Sequence, residues 1–137
     1  MTHRHPLRIY SEDTDLAGIV YYANYLKFIE RGRSEWVRSL GIDQGRLRAD
    51  HGIVFAVRRL EAEYLRPAKF DDEVVVETRA LAVSGARLVL EQAVVRGPER
   101  LFVAQVVLVC LNEAGAVARM PADIRLLLAP CLPGALN

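Results

Sequence analysis

Residues 10–41 read YSEDTDLAGIVYYANYLKFIERGRSEWVRSLG, and this stretch decides the fold. Its first third is a polar turn carrying Glu12, Asp13 and Asp15, followed by Gly18 and a short apolar run. Apolar and aromatic residues then recur at Tyr22, Tyr25, Leu26, Ile29, Trp36, Val37 and Leu40. Those offsets return to one face of a helix with 3.6 residues per turn and predict a helix over Tyr22–Leu40. Lys27, Glu30, Arg31, Arg33, Ser34, Glu35 and Arg38 form the opposite, water-facing side. Gly41 supplies the stop, because glycine accepts the left-handed conformation that ends many helices. A carboxylate-bearing turn therefore feeds directly into a helix amino end. There the first N–H groups lack intrahelical partners and carry partial positive charge, which points to an active site.

On the amino side, residues 5–11 (HPLRIYS) predict a strand with Leu7 and Ile9 on one face. On the carboxyl side, residues 42–51 are polar and read as a connection that holds at most one helical turn. From Gly52 the pattern turns to strands. Residues 53–66 alternate Leu60, Ala62 and Tyr64 against Glu61, Glu63 and Leu65, until Pro67 ends the ladder. Strands follow at 73–83 and 87–96, separated by Ser84-Gly85, and at 101–112, which is apolar enough to be buried on both faces. Asn112–Gly115 is a hairpin turn, 116–120 a short last strand, and Pro121 opens a small helix. The expected class is α+β, one domain over 1–137, with short connections favouring an antiparallel sheet. One helix covers one sheet face, so the surplus of apolar strand surface predicts self-association.

Composition narrows the function. The chain has 18 Lys plus Arg against 17 Asp plus Glu, a balance that argues against a general nucleic-acid binder. No apolar stretch reaches the roughly 18 residues of a membrane span, and the amino end lacks a signal-peptide core. Cys110 lies in an apolar run and Cys131 forms no ligand spacing with it, which fits a reducing cytoplasm. His3, His5 and His51 show no metal spacing, and no phosphate-loop or dinucleotide fingerprint occurs.

The string DTDLAGIVYYANY, Asp13–Tyr25, resembles hotdog-fold acyl-CoA thioesterases of the 4-hydroxybenzoyl-CoA thioesterase class, and within it the Tol-Pal-associated subgroup. The helix that follows, Tyr64–Pro67 with Asp71-Asp72, and Asn112–Asp123 extend the resemblance over nearly the whole chain. It implies a hotdog fold, an antiparallel sheet wrapped around one long helix, assembled as a dimer or dimer of dimers. It also implies hydrolysis of an acyl-CoA, or of an acyl carrier protein thioester, to the free acid without a cofactor. By the resemblance, Asp15 is the catalytic carboxylate, Tyr22 carries the backbone N–H that meets the oxyanion, and Gly18 is the glycine of the site. The Tol-Pal-associated subgroup usually has histidine where Tyr22 stands, whereas the hydroxybenzoyl type has tyrosine. The acyl group is left open between short, long and aromatic chains.

A carboxylate at position 15 can attack the thioester carbonyl or activate water toward it, while helix-start amides receive the negative charge on oxygen. Read without the resemblance, Asp15 is also a plausible turn residue. Asp13 is expected to fix the turn through backbone N–H groups. Asn24 caps or lines the pocket, and Glu30 is a rival carboxylate read instead as solvated or paired with Arg33. Gly32 marks a close approach of helix to sheet, and Trp36 belongs to the core. Arg58, Arg59, Arg66, Lys69 and Arg87 are candidates for the phosphates of coenzyme A, since the planar guanidinium pairs with phosphate oxygens. Two rivals remain: a non-catalytic hotdog module binding an acyl group or a cell-envelope partner, and a dehydratase, which would need a histidine that the helix lacks.

Overall fold

The computed structural model describes residues 1–134; the last three residues of the expected domain lie outside that range. Five strands make one antiparallel sheet: β1 (His3–Arg8), β2 (Val54–Tyr64), β3 (Glu73–Val83), β4 (Arg87–Arg96) and β5 (Glu99–Leu111), in the order β1-β3-β4-β5-β2. Helix α1 (Asn24–Ser39) crosses one face; α2 (Gln44–His51) and α3 (Ala122–Leu128) complete the chain. The first strand starts and ends earlier than expected, yet Ile9 is buried and Leu7 partly so, on the predicted face.

Strand alternation sorts the sheet into two faces. Val76, Thr78 and Ala80 of β3, Leu88, Leu90, Gln92 and Val94 of β4, and Phe102, Ala104, Val106 and Leu108 of β5 point at α1 and are buried. The other face carries the Arg79–Glu91–Arg100 ion pairs beside Val89, Ala93, Val103, Val107 and Val109. Val107 and Val109 are buried too, so β5 is apolar on both faces over much of its length, although Gln105 reaches solvent.

Helix α1 begins two residues later than the periodicity predicts and buries Tyr25, Phe28, Ile29, Gly32, Trp36 and Val37. Tyr22 and Leu26, read from sequence as part of that stripe, are exposed, because the buried face runs through Phe28 and Gly32 instead. Gly32 faces Val76: a Cβ there would fall 2.9 Å from Val76 Cβ and nearer still to its Cγ1. The glycine is therefore what lets helix and sheet touch. Beside it, Gln92 donates to Ile29 O (2.8 Å) and to Thr78 Oγ1 (2.9 Å), and both side chains are fully buried. A buried amide without such partners would cost a few kcal/mol.

Three local expectations change. Residues 42–51 hold an eight-residue helix, capped by Asp43, which accepts from Arg46 N–H, and closed by Gly52 at φ 64°. Residues 116–120 form no strand: a single bridge joins Leu111 to Val117, and Asn112 Oδ1 instead takes the N–H groups of Ala114 and Ala116. Glu30 is solvated, one of its two expected readings, and accepts from Ser34 Oγ (2.9 Å); the other, a pair with Arg33, fails because that guanidinium turns inward toward Gln92 Oε1 (3.5 Å). Gly41 does end α1 with φ 86°, its N–H donating to Arg38 O. No helix of the described residues is long and apolar enough to cross a membrane.

Candidate active site

The DTD turn is a miniature hairpin. Tyr21 N–H donates to Asp13 O (3.0 Å), Thr14 and Val20 form a bridge, and Asp15 N–H donates to Ile19 O (2.9 Å). Gly18 closes the tip with φ 77°, a value that strains any residue with a Cβ, and donates to Asp15 O (3.0 Å). The returning arm is held from outside as well: Val20 N–H donates to Ala68 O (2.9 Å), and Ile19 bridges Lys69. Asp13 fixes the turn as expected, its Oδ2 accepting Tyr10 N–H (2.8 Å). Asp15 Oδ1 accepts Ala17 N–H (2.8 Å); the rest of the carboxylate is open to solvent, next to the fully exposed Leu16.

This hairpin runs straight into α1. The cap position falls on Ala23, which has no oxygen to offer, so no side chain caps the helix. Asn24 spends its groups on the hairpin: Nδ2 donates to Asp13 O (2.9 Å) and its N–H to Tyr21 O (2.8 Å). Among the described residues, no hydrogen bond takes up the N–H of Tyr22 or of Ala23. Open amides at the positive end of the helix dipole are an electrostatic pole for negative oxygen.

Against this pole lies a cleft of about 320 Å³ with walls from Ile19, Tyr22, Tyr25, Tyr64, Arg66 and Pro67. Tyr25 stacks on Phe102 (centroids 4.9 Å, planes 13° apart), and its Oη accepts Ala68 N–H (2.9 Å). Tyr64 packs edge-on against Phe102, Tyr25 and Tyr22 at 5.0, 5.4 and 6.2 Å, and its hydroxyl donates to Tyr22 O (2.8 Å). Burial pushes the Tyr25 phenol pKa up, against the opposing pull of the Ala68 bond. Burial, then the neighbouring Tyr22 and Tyr25, pushes that of Tyr64 up. Both rings therefore stay neutral. Asp15 is not a wall of the cleft; Ile19, opposite it in the hairpin, is.

The other candidates separate. Asp15, Gly18, Tyr22, Asn24 and Arg66 gather at one end of the molecule, where Arg66 pairs with Glu99 (3.1 Å). Arg59 lies mid-strand in β2, ion-paired with Glu61, next to Arg58 at a bulge, where the register shifts between Val57 and Arg59. Arg87 starts β4, nine residues before Arg96, whose guanidinium reaches Pro67 O (3.3 Å). At ~3.3 Å per residue, Arg87 is roughly 30 Å from the cleft of its own chain. Around it the structure gathers two arginines that sequence reading missed: Arg125 donates to Gly85 O (3.4 Å), and Arg119 approaches the same glycine. They lie over thirty residues downstream, and nothing local marks them as neighbours of that turn. Tyr64 was also missed as a site residue; its alternation on an edge strand placed it on the inner face, but not at the helix start. Cys110 is buried and its thiol pKa is pushed up by that burial, as suits an inert core residue. Among the described residues, no cluster of three or more His, Cys, Asp or Glu is placed to hold a metal.

Residues 17–103 match the Thioesterase superfamily. The chain is 40% identical over 107 residues to the acyl-CoA thioesterase YbgC of Haemophilus influenzae, covering 78% of this chain and 79% of the relative. Its structure is similar to that of a probable thioesterase from Bartonella henselae, with 37% identity, a TM-score of 0.83, and 88% and 100% of the two chains covered. It also shares its fold with 4-hydroxybenzoyl CoA thioesterase, at 22% identity and a TM-score of 0.85, with 93% and 98% covered.

Proposed function

The chain belongs to the thioesterase superfamily, and from that premise we propose that Asp15 and the amide pole at the start of α1 act together on the carbonyl of an acyl-CoA thioester. It is a thioester hydrolase with the hotdog fold of its relatives. In the general-base form, Asp15 takes a proton from water as its oxygen adds to the carbonyl carbon. The C–S bond then breaks, and the proton passes to the departing thiolate. In the nucleophilic form, an Asp15 oxygen attacks, coenzyme A leaves as thiolate, and water hydrolyses the mixed anhydride. Both require an ionised carboxylate and a pole for the oxyanion.

One observation carries the reading: the Asp15 turn and the uncapped helix start form a single hydrogen-bonded unit, with the N–H groups of Tyr22 and Ala23 unspent. Gly18 shapes that unit and Asn24 ties it together, while the acyl chain enters the aromatic cleft and Arg66 meets the carrier at its rim. Arg87 is too far along the sheet to serve the same chain's cleft, and its part in phosphate binding requires a neighbouring subunit; Arg58 and Arg59, about 17–20 Å along β2 from Tyr64, stand toward the far end of a bound carrier. A homo-oligomer, either a dimer or a dimer of dimers, fits the free edge of β2 with Val54 and Val57 exposed along it. We place the reaction in the cytoplasm, on coenzyme A or an acyl carrier protein.

The test is thiol release across short, long and aromatic acyl groups on both carriers. Turnover of at least one series supports the proposal. Binding of acyl-CoA with no thiol released from any member overturns it in favour of a non-catalytic binding module.

A further inference from the structure

We propose that Tyr64 is a positioning residue, whose phenol sets the direction and donor strength of the open Ala23 N–H at the start of α1. This rests on the thioesterase reading and deepens it.

The carbonyl of Tyr22 is the first point. Tyr22 precedes the cap residue Ala23, so its carbonyl lies outside the helix. Leu26 N–H, four residues on, bonds Ala23 O (3.2 Å). Tyr22 O is thus left without a helical donor, and the Tyr64 hydroxyl fills the place at 2.8 Å. The peptide joining Tyr22 to Ala23 is planar, so its C=O and N–H point in opposite directions. Gripping the oxygen fixes where the Ala23 N–H aims. A hydrogen bond to the carbonyl also polarises the amide and strengthens its donor end. The preceding peptide is held separately by Asn24 N–H on Tyr21 O, and the one before it by Tyr21 N–H on Asp13 O. Tyr64 is therefore the side chain that holds the peptide between two fixed ones.

The second point is that Tyr64 does not need this bond for its own sake. The residue is 49% exposed, and its hydroxyl could be satisfied by water. Its ring is instead braced edge-on by Phe102, Tyr25 and Tyr22, which aims the phenol across the cleft from β2 to α1. The raised pKa of the group keeps it a donor well above neutral pH.

The experiment is Tyr64→Phe, which keeps the ring and removes the donor. Losing one neutral hydrogen bond at the pole is expected to lower kcat about tenfold, with KM changed less than about twofold. Affinity for a trifluoromethyl ketone analogue of acyl-CoA, which forms an oxyanion-like adduct, should fall by the same factor. Affinity for an unreactive thioether analogue should not change. An unchanged kcat overturns the proposal, as does an equal loss for both analogues, which is the mark of a packing defect. If Tyr64→Phe fails to fold, fluorinated tyrosine at position 64 takes its place. Its more acidic phenol should bring the alkaline loss of kcat to lower pH than in the unmodified chain, and an unmoved profile overturns the proposal. A wild-type chain that releases no thiol sinks the thioesterase reading itself, whereas an active wild type with an indifferent Tyr64 sinks only this inference.

Discussion

Midway along α1, at Gly32, helix and sheet meet with no space left and the buried polar groups satisfied. Roughly two and a half turns earlier, at Tyr22 and Ala23, amides are open and the rings of Tyr21, Tyr22 and Tyr64 reach solvent. The same helix thus holds a region that closes the fold and a region that withholds closure. In the first, glycine, threonine and glutamine are chosen so that nothing is left over. In the second, alanine stands where a serine or aspartate cap would have been more stabilising by about 1 kcal/mol. Such a cap would have bonded the N–H of Tyr25 or Leu26 and set a polar side chain beside the open amides of Tyr22 and Ala23. Local rules broken at an exposed helix start, and obeyed strictly a few turns away, are the contrast that the chemistry proposed at Asp15 requires.

The sharpest way to break this contrast is at Asp15. Asp15→Asn keeps the side-chain oxygen that Ala17 N–H needs, so the hairpin should survive, and thermal unfolding should shift by no more than a degree or two. Thiol release should fall about a thousandfold, the scale expected when a positioned base or nucleophile is lost. Retained turnover would falsify the assignment and return Asp15 to the role of a turn residue.

The opposite variant belongs to the closed region. Gly32→Ala puts a methyl into Val76, whose β-branched side chain has little rotameric freedom to yield. Overpacking of that kind costs about 1–3 kcal/mol, against which alanine returns ~1 kcal/mol of helix propensity. A net loss of up to about 2 kcal/mol in denaturant unfolding is expected, with kcat per folded molecule unchanged. Val76→Ala combined with it should recover most of the loss, since the two side chains compete for one space. Additive losses in the double variant would show that the contact is not what makes Gly32 necessary. Gln92→Leu probes the same region more gently. It leaves Thr78 Oγ1 without its donor in a dry core, at a cost of about 1–2 kcal/mol in unfolding free energy.

Much of this contrast was legible in the sequence, and the illegible part has a physical reason. Alternation located β2, turn residues bounded β3 and β4, and a continuous apolar run located β5, whose two faces are both largely buried. Gly32 announced a close approach, since glycine inside a helix needs a reason. The DTD turn and the Tyr22 amide were adjacent in sequence, so their joining needed only local geometry. By contrast, Tyr64 meets Tyr22 across forty-two residues, and Arg119 and Arg125 reach the Ser84-Gly85 turn from the far side of β5. Such meetings depend on strand order, which short-range patterns do not encode. Tyr22 and Leu26 were misplaced on the buried stripe for a related reason: periodicity assigns apolar residues to the core and has no category for exposed ones, such as Tyr22, a wall of the open cleft.

The smallest expected effect lies between the two regions, at Asp72. Its Oδ2 accepts Lys69 N–H (2.8 Å) and Arg96 Nη1 (2.6 Å), and Arg96 reaches on to Pro67 O. The pair thereby ties β4 to the 67–72 turn, which in turn pins Val20 and Ile19 of the hairpin. Burial by itself would push the Asp72 carboxyl pKa up. The Lys69 N–H and the Arg96 guanidinium outweigh it and hold the pKa below the usual carboxylate range. Because the folded-state value lies below the unfolded one, the unfolded chain takes up the proton first as pH falls. The stabilisation is therefore fully present above about pH 4 and drains away as pH drops through the folded-state value. Asp72→Asn should cost about 1 kcal/mol at pH 7, an ion pair this sheltered being worth somewhat more than an exposed one. Below about pH 4 its unfolding free energy should converge on that of the wild type. Denaturant titrations at pH 7, 4 and 3 measure both. A constant gap between the two proteins at all three values would mean that the Arg96 contact contributes nothing through charge. The hairpin would then be held against the 67–72 turn by its backbone bonds to Ala68 O and from Phe70 N–H.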